Sequence, residues 1–241
     1  RKKTNISKNV FYLDLKKKIN LNQTFDGVIH CAFHHPYTIS NKGKNQLKKE
    51  NILMSKNLSE FCNKKKIKKV VFISAINAYG SIKKNIINEN YIPKSPSWYG
   101  YSKLKSEKIF LNNNNQYKCI CLRVPGIFTL DLTKNHPLII NMIKKFIKGS
   151  KVEVYNKSGM FNNIIDTYEI FKISSFFFTK NKIKSGIYNL ASSKPIKFSY
   201  IIDYLKKKFN SNSKIINIKN KQKPFIIRTI KIEKNFNIKI S

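Results

Sequence analysis

The sequence predicts an α/β protein, a parallel sheet with helices on both faces followed by a small C-terminal α+β lobe. Two observations carry that prediction. Short apolar, β-rich runs alternate with helix-length segments of 3.6-residue periodicity, the pattern of strands joined by crossover helices. The 241 residues suffice to bury one α/β core, and no repeat or linker divides them into independent units. In order, residues 10–13 read as a strand ending at Asp14, and residues 27–32 as the next. A helix over 45–62 carries Leu47, Ile52, Leu53, Leu58 and Phe61 on its apolar side. Residues 69–74 form a third strand, followed by an irregular stretch with Gly80, Pro93 and Pro96. A helix over 99–111 is stopped by Asn112 to Asn115, and residues 119–124 form a fourth strand. Beyond it the sequence predicts helices over 138–148, 168–178 and 198–209, and strands over 152–155, 187–190 and 215–218. The division is residues 1–130, carrying most of the sheet, and 131–241, mainly a lobe over its carboxyl edge with some sheet elements interleaved. Open α/β sheets bind ligands at that edge.

The net charge of +36 invites a nucleic-acid reading, which the composition argues against. There are 45 Lys but only Arg1, Arg123 and Arg228, whereas phosphate and base recognition favour Arg. Lys rises together with Asn and Ile along the whole chain, as an A/T-rich coding bias produces, and runs such as Lys16 to Lys18 read as solvated turns. The expectation is no nucleic-acid partner, although a positive field attracts anionic small molecules. No apolar run reaches membrane-spanning length, so no membrane partner is expected. Cys31, Cys62, Cys119 and Cys121 lack metal-ligand spacing and read as reduced thiols of a cytoplasmic protein. His30, His34 and His35 are not completed by a carboxylate or Cys set, so no metal site is expected, and His30 reads as a strand-end ring satisfied by backbone.

The chemistry-bearing segment is residues 99–107. Tyr99 and Lys103 lie four apart at the start of a helix and so share one face. A neighbouring ammonium favours the phenolate, turning a poor base into a proton acceptor near neutral pH. Such a pair suits an enzyme that moves a hydride between a carbinol and a nicotinamide. Six Tyr-x-x-x-Lys frames occur, starting at Tyr12, Tyr79, Tyr99, Tyr101, Tyr168 and Tyr204, so the spacing alone discriminates little. The setting singles out Tyr99, with Pro96 before it, Gly100 and Ser102 inside it and Glu107 after it.

Further segments extend the pattern in order: Leu13-Asp14-Leu15, Val28-Ile29-His30-Cys31-Ala32, Asn51 in a helix, and Val71-Phe72-Ile73-Ser74 leading to Ala78-Tyr79-Gly80. Leu122-Arg123-Val124-Pro125-Gly126, the run from Phe161 to Asp166 and Gly186-Ile187-Tyr188-Asn189-Leu190 follow. In these pieces the chain resembles the NAD-dependent epimerase/dehydratase branch of the extended short-chain dehydrogenases/reductases, over nearly its whole length.

The resemblance implies a Rossmann-like sheet, NAD or NADP as cofactor and a nucleotide sugar as substrate. Tyr99 would exchange the proton, and Lys103 would lower its pKa and hold the nicotinamide ribose. Asp14 would contact the adenine, with Leu15 packed beside that ring. Cys31, Ala32 and Phe33 would run past the ribose and pyrophosphate, Asn51 would brace that loop or the cofactor, and Pro125 would begin the loop behind the nicotinamide. It further implies pairing of two copies through helices 45–62 and 99–111. Two departures stand out. The eight glycines are too scattered to form the phosphate-cradling turn, so the chain reads as a fragment lacking the first βαβ unit, binding NAD poorly and prone to aggregation. Ala75 stands four residues before Tyr79, where the family has a hydroxyl. Ser74 is the candidate substitute, catalytic and cofactor-contacting, provided the strand ends before it, because neighbouring strand residues face opposite ways. The leading expectation is an epimerase, dehydratase or reductase. The alternative is a non-catalytic binding or regulatory protein that kept the fold and lost the chemistry.

Overall fold

The computed structural model describes residues 10–36, 42–128, 138–218 and 223–241. A four-stranded parallel sheet forms the centre, from β1 (Gly27–His30), β2 (Lys69–Ala75), β4 (Lys118–Val124) and β9 (Gly186–Asn189), in that spatial order. Helix α1 (Lys44–Lys64) connects β1 to β2, and β3 (Ile86–Ile87) lies in the segment before helix α2 (Trp98–Phe110). After β4 come β5 (Gly126–Phe128), α3 (Leu138–Ile147), β6 (Val152–Tyr155), β7 (Met160–Phe161), β8 (Ile164–Asp166) and α4 (Thr167–Thr179). Following β9 are β10 (Ile196–Lys197), α5 (Phe198–Lys208), β11 (Ile215–Ile218), β12 (Ile226–Ile227) and α6 (Ile230–Phe236).

The central strands are near-continuous apolar runs because both faces are covered. Val70, Phe72, Cys119 and Cys121 pack with Leu58, Phe61, Cys62 and Phe110 beneath α1 and α2. Val71, Ile73, Ile120 and Leu122 pack with Ile173 and Phe177 of α4 and with Ile232 and Phe236 of α6. A separate apolar cluster joins Ile139, Met142 and Phe146 of α3 to Val152 and Val154 of β6 and to Phe198, Ile202 and Leu205 of α5. Small two-stranded pairings stitch this part together: β6 with β11, β5 with β8 and β7 with β10. The boundary near residue 130 lies outside the described residues.

Residues 10–13 are not a strand. No strand is paired with them among the described residues, and Val10, Phe11, Tyr12 and Leu13 are all exposed. β-propensity alone leaves backbone N–H and C=O groups without a ladder, so the segment stays irregular. The next stretch is a turn closed from Lys17 N–H to the Asp14 carbonyl at 2.9 Å and tied to α1 by Asn57, whose amide donates to the Leu15 carbonyl at 2.8 Å.

α1 and α2 meet through short polar side chains rather than apolar ones. Asn51 donates to Ser102 Oγ at 3.3 Å and Ser55 donates to Ser106 Oγ at 2.8 Å, and beyond the end of α2 Ser59 and Tyr117 share a 2.7 Å bond. Small residues on both helices allow the close approach, and each buried hydroxyl has a partner.

Candidate active site

α2 starts at the carboxyl end of the sheet. Ser97 caps it by accepting from the Gly100 N–H at 3.2 Å. Gly100 is required by crowding, since a Cβ there would stand 2.0 Å from the Asn77 carbonyl oxygen in the 3₁₀ turn Ile76–Tyr79 that follows β2. α2 is thereby pressed against that turn, and Tyr99 and Lys103 are held at the strand ends. Both are buried, Tyr99 at 8% and Lys103 at 3% exposure.

The Lys103 ammonium donates to the Ile73 carbonyl at 2.6 Å. It lies 3.7 Å from the centre of the Phe33 ring and 5.7 Å from that of Tyr99. Burial brings its pKa down to about 7, and the fields of Cys31, Glu107 and Cys121 act the other way. Phe33 and His35, on the loop after β1, both pack edge-on against the Tyr99 ring. Asn51 pins that loop from α1: its Oδ1 accepts from the His34 N–H at 2.7 Å and its amide donates to the His34 carbonyl at 3.1 Å. His34 Nε2 also stands 2.9 Å from Glu50 Oε2.

One turn beyond Lys103, the Glu107 carboxylate is buried in a closed polar knot. Arg123 Nε and one terminal nitrogen donate to its two oxygens at 2.9 and 2.7 Å, and Ser74 Oγ donates to it at 2.5 Å. The guanidinium also lies over the Tyr79 ring, 4.2 Å from its centre. Although burial works against its charge, the hydrogen bonds and field of Glu107 raise the Arg123 pKa.

Beyond β4 a cavity of about 240 Å³ opens between β5, the start of α3 and the β7–β8 segment. Ile127, Phe128, Leu138, Phe161 and Ile164 make its walls apolar, and Asn163 supplies a polar group whose buried Oδ1 has no hydrogen-bond partner among the described residues. A buried amide oxygen left in this state favours a donor arriving from outside the protein.

The sequence profile described as the NAD dependent epimerase/dehydratase family matches residues 1–191. The chain belongs to that family. An uncharacterized protein, MJ1055, of Methanocaldococcus jannaschii is 29% identical over 174 residues, covering 69% of this chain and 51% of that protein. The chain thus spans about half the length of the curated relative it matches. Among solved structures, Bordetella bronchiseptica WbmG in complex with NAD has a TM-score of 0.75 at 15% identity over 90% of this chain and 67% of that one. UDP-glucose 4-epimerase of Thermotoga maritima, with UDP-glucose, gives 0.76 at 18% over 90% and 72%. RMD of Pseudomonas aeruginosa, complexed with NADPH, gives 0.78 at 16% over 96% and 82%. At these identities the likeness shows the fold, which is Rossmann-like.

For this epimerase/dehydratase family member, the structure gathers Tyr99, Lys103, Phe33 and Asn51 at the carboxyl edge, together with the exposed Cys31 and Ala32 of the same loop. Pro125 directly follows β4. Asp14 is exposed, its carboxylate accepting from the Lys16 N–H at 3.1 Å and lying 3.7 Å from the Lys16 ammonium. Three expectations change. Ser74 offers no hydroxyl to a reacting oxygen, because β2 continues through Ala75 and the Ser74 side chain turns toward α2 and donates to Glu107. The Tyr99 phenol is not lowered by its lysine: burial pushes it up to about 12, while the ammonium is directed to Ile73 and Phe33. His30 is partnered by a side chain, Ser55 Oγ at 3.5 Å, rather than by backbone. Burial, with the Lys103 charge, brings it down to about 3. Sequence reasoning missed the buried Glu107–Arg123 pair beside Lys103 and the place of Asn163 in the cavity wall. Strand alternation held a signal for Arg123, which shares the face of Cys119 and Cys121 and pairs in register with Ser74.

Proposed function

We propose that the chain carries the catalytic groups of an NAD- or NADP-dependent epimerase or dehydratase acting on a nucleotide sugar, with Tyr99 as the group that moves the proton. The observation that supports this most is the meeting of the Tyr99 and Lys103 side chains, one helical turn apart, where β2 ends and α2 begins. The groups present fit a nicotinamide cofactor along that rim. Lys103 would hold its ribose, and the exposed Cys31 and Ala32, being small, leave room for the chain of phosphates. Asp14 and Leu15 would meet the adenine, Asn51 would keep the loop in place and Pro125 would back the nicotinamide. Bound there, the cofactor would supply a hydride acceptor and donor. With its pKa near 12, Tyr99 keeps its proton at neutral pH and is set to give it to a sugar oxygen. We assign the substrate to the cavity beside Phe128 and Asn163. In this reading residues 1–130 are the nucleotide-binding part and 131–241 mainly the substrate lobe, in a cytoplasmic protein.

The test is sugar interconversion followed by NMR with NAD and UDP-glucose, for the wild-type protein and Tyr99→Phe. The variant is expected to melt normally and lose at least about 100-fold in turnover; full turnover overturns the role. A second reading, a binding protein that kept the fold without the chemistry, is favoured by the commitment of Ser74 to Glu107 and by the methyl group of Ala75. Tight NAD binding by the wild type without turnover selects it. Pairing of two copies through α1 and α2 would set exposed Lys49, Lys56, Lys105 and Lys108 of each along one seam. Pairing should therefore strengthen as salt rises, which sedimentation at low and high ionic strength measures.

A further inference from the structure

We infer that Glu107 is a positioning residue for Lys103, holding both the location and the charge of its ammonium; the inference rests on the role proposed for Lys103. Two adjacent residues of β2 carry the argument. The Ile73 carbonyl takes the Lys103 ammonium at 2.6 Å and the Ser74 hydroxyl donates to Glu107 at 2.5 Å, so successive turns of α2 are fastened to successive residues at the strand end. Arg123 then locks Glu107 from the neighbouring strand, where it pairs in register with Ser74. α2, β2 and β4 are thus joined at one buried carboxylate, and neither rotation nor sliding of α2 can move Lys103 without breaking that joint.

The carboxylate also acts through space. Lys103 is surrounded by few groups able to compensate its charge. Cys31 comes from the loop after β1, Glu107 from α2 and Cys121 from β4. Among the described residues, the other titratable neighbours of Lys103 are His30, held neutral by burial, and His35 and Tyr99, which are neutral at pH 7, while the Arg123 guanidinium is paired with Glu107. Two of the three compensating groups are thiols, and burial raises the pKa of both. Glu107 is therefore the one carboxylate among them, and it favours the ammonium form against the desolvation that disfavours it.

The experiment follows the Lys103 titration in the protein alone, by NMR of lysine labelled at Cε, with its signal identified by its loss in Lys103→Met. In the wild type the signal is expected to titrate near pH 7. Glu107→Gln is expected to lower that midpoint by about half a pH unit or more. Because Arg123 is then left unpaired, Glu107→Gln/Arg123→Gln is measured beside it, with two amides able to bond each other and no lone charge. The midpoint should fall in this variant too. Glu107→Asp, which restores the charge, should bring it back toward the wild-type value. A Lys103 midpoint unmoved in both glutamine variants overturns the inference, even where their melting temperatures drop, since a merely structural role would change only those. The readout needs neither cofactor nor substrate. Absence of turnover in the wild type therefore counts against the proposed function and leaves the titration result standing.

Discussion

On the face of the sheet covered by α1 and α2, the alternating positions Val70, Phe72 and Cys119, Cys121 end in Ser74 and Arg123. On the face covered by α4 and α6, the positions Val71, Ile73 and Ile120, Leu122 end in Ala75 and Val124. The same two strands thus finish polar toward one pair of helices and apolar toward the other. The polar finish is matched by Lys103 and Glu107 on α2, and the apolar one by Ile173 and Phe177 on α4. The difference teaches where function can reside. A face closed by dispersion and burial tolerates shape-conserving replacement, whereas a face closed by charge and hydrogen bonds holds groups in fixed protonation states and positions.

The largest effects expected are single truncations on each face, and the comparison breaks if they respond alike to a second substitution. Phe177→Ala opens a cavity in a fully buried position, and Glu107→Ala strands the Arg123 guanidinium; each should cost about 3–5 kcal/mol in urea unfolding. Glu107→Leu/Arg123→Met, which removes both charges and keeps the volume, should regain most of that loss. Phe177 joins no ion pair among the described residues, and the charge it meets is the Lys69 ammonium, 5.8 Å from its ring centre, so no paired charge removal can offset its loss. A Glu107→Leu/Arg123→Met variant as unstable as Glu107→Ala would mean that the knot is held by shape, as the opposite face is.

The pH dependence separates the faces next. Lys103 titrates near 7 in the folded protein, below the ordinary 10.5, so between those values the unfolded chain binds more protons. Stability should therefore rise with pH from about 7 to 10.5, and the destabilising contribution should be complete below 7. Lys103→Met removes that slope: relative to wild type it gains as pH falls from 10 to 7, by on the order of a few kcal/mol, then levels off. Urea midpoints of both proteins between pH 6 and 10 measure this. Phe177→Ala, having no titrating group, should shift the curve by a constant amount. Parallel curves for Lys103→Met and wild type would remove the distinction.

These faces were unequally legible in the sequence. The four central strands, α1, α2 and the larger helices follow from apolar periodicity, because such elements are long and their burial repeats along the chain. The short pairs β3–β12, β5–β8 and β7–β10 do not, since two or three residues carry no periodic signal and their partners are distant in sequence. Residues 10–13 show the converse failure, a good strand composition with no strand paired beside it among the described residues. At the site, the spacing of Tyr99 and Lys103 correctly put them on one helical face. It could not show that the ammonium would turn to the Ile73 carbonyl, because that acceptor is a backbone group thirty residues away in sequence. Ser74 was misread for a related reason. Whether a strand ends before or after one residue decides which face its hydroxyl takes, and only the register with Arg123 and Val124 settles that.

The smallest expected effect tests the comparison at the helix starts. α2 and α4 are both capped at the third residue, by Ser97 accepting from Gly100 N–H at 3.2 Å and by Asp166 accepting from Glu169 N–H at 2.7 Å. Ser97→Ala and Asp166→Ala should each cost about 1 kcal/mol. Asp166→Ala should cost the more, because its carboxylate also meets the positive end of the helix dipole. Function should rank them in the opposite order. The Ser97 cap is two residues from Tyr99, so its loss frees the first turn of α2, and with it the phenol, whereas the Asp166 cap starts a helix that packs Ile173 and Phe177 against the sheet, away from Tyr99. On the proposed function, turnover divided by the folded fraction should therefore fall in Ser97→Ala and stay level in Asp166→Ala. Equal loss in both would mean that α4 positions reacting groups as α2 does, and the two faces would no longer differ in kind.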